Sequence, residues 1–223
     1  MKIPQVKICC ITSIEEARVA LDHGAHALGF VSEMPSGPGV IPETEIATIR
    51  TALPTSVDSF LLTSKTDVEK IIEQQRRCGV TTLQLCDRTK PEAHKLLRET
   101  VPDVRLVQVI HILGEDSVRE AEQMARTVDA LLLDSGRPNA RQRELGGTGR
   151  THDWEISRRI RELVAVPIYL AGGLHAGNVV RAIRQVEPFA VDLCSGVRTD
   201  GKLDKAKLGE FLKQVRSVGV DHV

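Results

Sequence analysis

The chain has 223 residues, 30 basic and 30 acidic residues that give a formal net charge of zero, and only 3% aromatic residues. This length fits one large domain better than two small ones. Balanced charge argues against a protein that mainly binds nucleic acid or an anionic membrane surface, and the few aromatic side chains exclude a stacking platform for single-stranded bases.

The five cysteines and the N-terminal segment indicate the cellular compartment of the protein. An odd number of cysteines, in a chain whose first residues do not read as a secretory signal, predicts reduced thiols in the cytoplasm. No apolar run approaches the roughly 18 residues that a membrane-spanning helix needs. We therefore expect a cytoplasmic protein whose partners include neither a membrane nor a nucleic acid.

Short apolar runs alternate with longer amphipathic segments along the chain. Several runs are almost entirely apolar, such as Ala-Leu-Leu-Leu at residues 130–133, which is typical of parallel strands buried on both faces. In chain order the predicted strands lie near residues 5–9, 27–30, 57–62, 82–85, 105–110, 130–133, 167–171 and 190–193.

Signals for helix ends fall between these strands. Ser13 followed by Glu16 forms a capping box, in which the hydroxyl and the carboxylate can bind free backbone amides. The same pattern begins at Thr66, Thr89 and Ser117. Gly24 and Gly79 stand where C-caps would fall. A helix is therefore expected after most strands.

Eight strand–helix units of about 28 residues each predict an α/β fold, a (β/α)8 TIM barrel, as a single domain over residues 1–223. An open doubly wound sheet is the alternative, because periodicity does not separate the two. Even spacing and the lack of a nucleotide-binding fingerprint after the first strand favour the barrel. The longest irregular segments, 31–42 and 134–151, follow strand ends where such barrels keep their active sites.

Glycine-containing turns follow the last three predicted strands. Each could serve only a tight turn. Backbone amides in such turns also bind phosphate, and the loops after strands 7 and 8 form the usual phosphate site of this fold. Three turns in consecutive units therefore predict a phosphate site, with the residues Gly147, Gly172, Gly173, Ser195 and Gly196.

Candidate acid–base residues also lie at strand ends. Cys9 closes strand 1 and Asp134 closes strand 6, while Asp192 lies inside strand 8. A stabilised thiolate can act as a base, and a carboxyl group can give or take a proton. A buried hydrophobic role for Cys9 and a loop-capping role for Asp134 are the alternatives. His111 is the one histidine placed to face a site, and no Cys or His spacing predicts a metal site.

Motifs along nearly the whole chain resemble the phosphoribosylanthranilate isomerase family of tryptophan biosynthesis, an aromatic amino acid pathway. Residues 7–12, Lys-Ile-Cys-Cys-Ile-Thr, resemble its K-I-C-G-I-T opening. Residues 24–30 resemble its G-A-D-A-L-G-F strand, and 83–85 its V-Q-L-H-G strand. Further matches, in the family's order, are 132–134, 146–149, 153–154, 170–174, 178–179 and 191–197. The chain is identified as a divergent member with a barrel of the ribulose-phosphate-binding type.

This resemblance implies an Amadori rearrangement of N-(5-phosphoribosyl)anthranilate to a 1-deoxyribulose 5-phosphate product. In the family a Cys at the end of the first strand is the base that takes the C2′ proton, and an Asp at the end of the sixth is the acid that opens the ring. These roles map onto Cys9 and Asp134. The chemistry needs no cofactor or metal, the partner is a small phosphorylated sugar-amine, and the chain is expected as a monomer or homodimer.

The sequence departs from the family pattern in the loop after strand 2. The family usually has S-P-R there, and its Arg holds the anthranilate carboxylate; Gly39 stands in that place here. Cys10 and Cys86 replace a Gly and a His. Arg88, after strand 4, and Arg137, after strand 6, are the candidates to bind the carboxylate instead, unless both are solvated.

Two alternatives to the family activity follow from these departures. One is a related isomerase that acts on another phosphoribosyl amine, for which Gly39 is the distinguishing feature. The other is a non-catalytic barrel that binds a sugar phosphate. The presence of both Cys9 and Asp134 argues against the second.

Overall fold

Eight parallel strands close into a barrel in the order β1 to β8 in a computed structural model that describes residues 1–141 and 143–219. The strands are β1 (Gln5–Ile8), β2 (Ala27–Val31), β3 (Asp58–Thr63), β4 (Thr82–Leu85), β5 (Arg105–His111), β6 (Ala130–Asp134), β7 (Ile168–Leu170) and β8 (Ala190–Leu193). Pairing of β1 with β8, in which Ile8 is the partner of Leu193, closes the ring. The predicted TIM barrel is therefore confirmed over the open sheet; residues 142 and 220–223 of the predicted domain lie outside the described residues.

Helices connect successive strands on the outside of the barrel. They are α1 (Ile14–Asp22), α2 (Glu43–Thr51), α3 (Val68–Cys78), α4 (Pro91–Thr100), α5 (Asp116–Met124), α6 (Trp154–Leu163), α7 (Val179–Val186) and α8 (Lys205–Ser217). A short 3₁₀ helix (Ser195–Val197) and a hairpin of β9 (Arg198–Thr199) and β10 (Lys202–Leu203) follow β8. Among the described residues, none of the helices has the length and apolar character needed to cross a membrane.

Strand alternation divides the buried side chains into two layers. On β6, Leu131 and Leu133 join the large cluster between strands and helices, whereas Ala130 and Leu132 join a smaller cluster inside the barrel. Successive side chains of a strand point to opposite faces. Asp134 is in phase with the inward pair, so the strand itself directs this carboxyl group into the barrel at the end where the strands finish.

Helix capping follows the sequence signals only in part. Ser13 accepts a hydrogen bond from the Glu16 amide at 3.1 Å, as predicted. Gly79 ends α3 in the left-handed conformation, also as predicted. For α3, however, the N-cap is Asp67, whose carboxylate is a stronger acceptor than the hydroxyl of Thr66.

The other two predicted N-caps are wrong. Thr89 is buried and its hydroxyl binds His94 and Gln108, because Pro91 starts α4 one residue later than the pattern required. Ser117 lies inside α5, where its hydroxyl donates to the carbonyl of His111 at 3.1 Å. Both hydroxyls are thus used to fix the loops that follow β4 and β5.

Candidate active site

A cavity opens at the end of the barrel where the parallel strands finish. It is lined by residues from the C-terminal parts of the strands and from the loops that follow them, including Cys9 after β1, Asp134 of β6 and Asp192 of β8. The long loops after β2 and β6 meet over it, since the Ser36 hydroxyl donates to the Arg143 carbonyl at 2.6 Å. Both long irregular segments therefore lie where the sequence predicted them, beside the site.

Cys9 follows β1 directly, and its side chain lies among the inward-facing residues. Lys7, two residues earlier on the same face, is fully buried and its Nζ lies 2.8 Å from a carboxylate oxygen of Asp192. A methyl group at Gly29 would lie 3.1 Å from Cys9 Sγ and 3.2 Å from Lys7 Nζ, so the thiol and the ammonium flank the same point.

The electrostatic balance of Lys7 comes from this inner layer. Burial opposes its charge, but the carboxylate of Asp192 and then the sulfur of Cys9 hold the pKa of Lys7 above its ordinary value. Lys7 and Asp192 are register partners on β1 and β8. The closure of the barrel thus creates a buried ion pair directly below the candidate base.

Asp134 ends β6 and lines the same cavity. Burial raises the pKa of this carboxyl group, while a hydrogen bond of 2.7 Å from the Ser135 amide and the charge of His111 act in the opposite direction. A raised pKa keeps a larger fraction of the carboxyl protonated near neutral pH. Such a group is suited to act as a general acid.

The predicted phosphate turns come together on one side of the cavity. A Cβ on Gly173 would lie 2.6 Å from a backbone atom of Arg150, and one on Gly196 would lie 2.0 Å from the Leu174 carbonyl oxygen. These contacts require glycine, because the three turns approach each other backbone to backbone. Asn178 fixes the turn after β7 by donating to the Gly173 carbonyl at 2.9 Å.

Four of the five predicted phosphate residues line the cavity: Gly147, Gly172, Gly173 and Ser195. Gly196 lies behind them, against Leu174. The arrangement therefore presents backbone from three consecutive loops to one volume.

Comparison with known proteins identifies the family. The family model described as N-(5'phosphoribosyl)anthranilate (PRA) isomerase matches residues 6–214. A relative from Desulforudis audaxviator, the N-(5'-phosphoribosyl)anthranilate isomerase, is 39% identical over 215 residues, which are 95% of this chain and 97% of that protein. The corresponding protein of Methanocella arvoryzae is 35% identical over 213 residues, 95% of this chain and 98% of its own length. The chain belongs to the phosphoribosylanthranilate isomerase family.

Solved structures of phosphoribosylanthranilate isomerases share the architecture. The enzyme of Thermus thermophilus superposes with a TM-score of 0.81 at 25% identity, covering 96% of this chain and 99% of that one. A phosphoribosylanthranilate isomerase in complex with reduced 1-(o-carboxyphenylamino)-1-deoxyribulose 5-phosphate superposes with a TM-score of 0.77 at 27% identity, with the same coverage of both chains. The recognition made from sequence motifs is therefore confirmed.

The two arginines proposed to replace the family arginine lie away from the cavity. Arg88 pairs with Glu120 at 2.8 Å, and its side chain is 71% exposed. Arg137 is exposed and its backbone pairs with that of Glu144. Neither is among the residues that line the cavity. The structure does not bring these two candidates to the site.

The lining itself carries no cationic side chain. Among the described residues around the cavity there is no Lys, Arg or His, and the charged groups are Asp134 and Asp192. The lining also includes the apolar side chains of Met34, Leu62 and Leu145. These side chains can pack against an aromatic ring but offer no counter-ion for a carboxylate.

Two side chains at or beside the cavity were not among the predicted site residues. Lys7 belongs to the motif at residues 7–12 but was not assigned a role. Its spacing of two residues from Cys9 is the signal that could have found it, because such residues lie on the same face of a strand. Cys194, next to Ser195, also lines the cavity. His111, by contrast, points its Nε2 at the Cys86 carbonyl, 3.0 Å away, and does not line the cavity. Nowhere in the described chain are three His, Cys, Asp or Glu side chains arranged to hold a metal ion.

Proposed function

We propose that this chain catalyses the Amadori rearrangement of N-(5-phosphoribosyl)anthranilate to its 1-deoxyribulose 5-phosphate product, a step of tryptophan biosynthesis. One observation carries the proposal: Cys9, which follows β1, and Asp134, which ends β6, line one cavity beside the glycine turns. The chain is an isomerase of the phosphoribosylanthranilate type, and its small phosphorylated substrate would occupy this cavity.

Each catalytic role follows from the environment of its group. Asp134, whose carboxyl pKa is raised by burial, would donate a proton to the ring oxygen as the C1′–O bond breaks. The open-chain iminium then carries an acidic C2′ proton, which the Cys9 sulfur would remove to give the enolamine. Lys7, beside that sulfur, would balance the negative charge of the thiolate. Tautomerisation of the enolamine gives the ketose.

The phosphate group would bind at the glycine turns that follow β6, β7 and β8. Support comes from Gly147, Gly172, Gly173 and Ser195, which belong to these turns and line the cavity. Gly196 would contribute indirectly, because its lack of a side chain lets the turn after β8 pack closely on Leu174. Backbone amides in such turns bind phosphate without a charged side chain.

The direct test is turnover of N-(5-phosphoribosyl)anthranilate by the purified protein, together with growth of a tryptophan auxotroph that lacks this isomerase. We expect turnover and growth with the wild-type chain, whereas Asp134→Ala should lower turnover by about 10²–10⁴-fold and should not restore growth. A folded protein that binds sugar phosphates but gives no turnover and no growth would instead establish the non-catalytic barrel.

A second candidate is an isomerase for a different phosphoribosyl amine. The cavity lining without a Lys, Arg or His favours it, because a carboxylate on the aglycone would lack a counter-ion there. Relative rates with the conjugates of anthranilate and of aniline separate the two candidates.

The remaining properties are proposals of the same kind. We propose one domain over residues 1–223, supported by a barrel in which all eight parallel strands take part. Free thiols at all five cysteines support a cytoplasmic location. The chain would act as a monomer or homodimer, which sedimentation at several concentrations would distinguish.

A further inference from the structure

Three cysteines meet at the junction of β1 and β8. Ile8 and Leu193 are register partners, and the Cys9 amide donates to the Leu193 carbonyl at 2.9 Å. Continued by one residue, this register places Cys9 opposite Cys194, and Cys10, the next residue, lies diagonally across the seam of the barrel from Cys194. Parallel strands keep such positions within the Cα separation that a disulfide spans.

The backbone of Cys10 turns its thiol toward this seam. Its φ of 62° is left-handed, a conformation that few residues other than glycine adopt. Strand alternation would have directed this side chain outward, yet Cys10 belongs with Cys9 to the cluster inside the barrel, and Cys194 packs on that cluster. The Cys10 thiol interacts with the thiols of both Cys194 and Cys9.

Cys194 differs from the other four cysteines in exposure and in charge environment. It is half-buried, whereas the other four are buried. Beside it lies the guanidinium of Arg198, only 9% exposed, whose Nε has no hydrogen-bond partner among the described residues. The contact with Cys10 and this guanidinium lower the pKa of the Cys194 thiol although burial opposes them. An accessible thiolate is the form of cysteine that oxidants attack.

We propose that Cys194 and Cys10 form a reversible regulatory disulfide, in which Cys194 is oxidised first by a hydroperoxide and Cys10 resolves it. The Cys194 thiolate attacks the peroxide; an S–O bond forms, the O–O bond breaks, and an alkoxide or hydroxide leaves. The Cys10 sulfur then attacks the Cys194 sulfenic acid; the S–S bond forms, the S–O bond breaks, and the hydroxide leaves as water with the Cys10 proton. Two electrons pass from the sulfurs to the peroxide.

The disulfide would inhibit the isomerase, a consequence that rests on the proposed function. It removes the Cys10 thiol from its contact with Cys9 and ties the residue before Ser195 to the end of β1. The candidate base and the phosphate turn after β8 would then both change position. Reduction of the disulfide by a dithiol restores the two free thiols.

The bond is tested directly by mass spectrometry after treatment with hydrogen peroxide. Trypsin cleaves after Lys7 and Arg18, which leaves Cys9 and Cys10 in one peptide, so variants assign the partner. We expect the link to the Cys194 peptide in the wild-type chain and in Cys9→Ser, and its loss in Cys10→Ser. A link that persists in Cys10→Ser, or sulfonic acid at Cys9 without any link, would overturn the proposal.

Activity gives an independent readout with a matched control. Each variant's rate after peroxide is compared with its own untreated rate: we expect at least a tenfold loss that dithiothreitol reverses in wild type and in Cys78→Ala, a buried cysteine of α3. In Cys194→Ser and in Cys10→Gly, which suits the left-handed backbone, we expect no reversible loss. Equal reversible loss in all four proteins contradicts the proposal. A chain without isomerase activity still forms the cross-link, so failure of the two proposals is distinguishable.

Discussion

A side chain at residue 39 and the side chain of Cys10 would occupy the same space: a Cβ on Gly39 would lie 2.5 Å from Cys10 Cβ. The family pattern has Gly and Arg at these two positions, and this chain has Cys and Gly. The two departures from the pattern are therefore one compensated change, in which the Cys10 side chain takes volume that glycine at residue 39 leaves free.

This relationship predicts energetic coupling between the two residues. Gly39→Arg alone should destabilise the chain by about 1–3 kcal/mol, because it overpacks the contact with Cys10 and puts a side chain on a residue with a left-handed φ of 77°. In the double variant with Cys10→Gly the loss should shrink by about 1 kcal/mol or more. Urea unfolding of the four proteins in this cycle measures the coupling; strictly additive effects would contradict it.

The catalytic pair should separate chemistry from binding. Cys9→Ala and Asp134→Ala should each lower kcat by about 10²–10⁴-fold, because a positioned acid or base acts only in proton transfer. Affinity for ribose 5-phosphate, measured by calorimetry, should change little, since the predicted phosphate contacts are backbone amides of the glycine turns and not these two side chains. Cys78→Ala is the control, and wild-type rates in Cys9→Ala would remove that residue from the mechanism.

The buried carboxyl group of Asp134 should lower the free energy of unfolding at neutral pH. Because burial raises its pKa in the folded state, the native chain holds this proton more tightly than the unfolded chain, and stability is lost as pH rises through the folded pKa. Asp134→Asn should therefore raise the free energy of unfolding at neutral pH. The gain should vanish below about pH 3.9, the ordinary value for Asp. Urea titrations at several pH values test this, and a gain that does not depend on pH would point to a different cause.

How much of this site the sequence could predict depends on strand alternation. Alternation and strand ends place Cys9 and Asp134 correctly, because both are properties of single strands. The Lys7–Asp192 ion pair depends on the register between the first and last strands, which is set only when the barrel closes. The directions of Arg88 and Arg137 depend on loop conformation and on partners such as Glu120, which periodicity does not reveal.

His152 should make the fold sensitive to mild acid. Burial lowers its pKa to about 4, and its ring lies 2.7 Å from the Ser157 hydroxyl. The unfolded chain then binds the proton first, so stability should fall as pH drops from about 6.5 toward 4, by up to about 3 kcal/mol. His152→Gln should remove most of this dependence. The test is the free energy of unfolding of the wild-type chain and of His152→Gln, each measured at pH 7 and at pH 4.5. An equal loss of stability in the two proteins at pH 4.5 would contradict the prediction.

The cavity without a cation should leave the aglycone carboxylate weakly recognised. Arg88→Ala and Arg137→Ala should leave KM for N-(5-phosphoribosyl)anthranilate nearly unchanged, because neither side chain lines the cavity. A charge-assisted contact is worth roughly 1.5–3 kcal/mol, so its absence means that the anthranilate and aniline conjugates should be turned over with kcat/KM values within about tenfold. In the double variant Cys10→Gly with Gly39→Arg, kcat/KM for the anthranilate conjugate should rise relative to that for the aniline conjugate, since the new Arg side chain would start beside residue 10, which lines the cavity. A tenfold or larger preference for anthranilate in the wild-type chain, which survives both Arg→Ala changes, would mean that backbone of the loop after β2 binds the carboxylate instead.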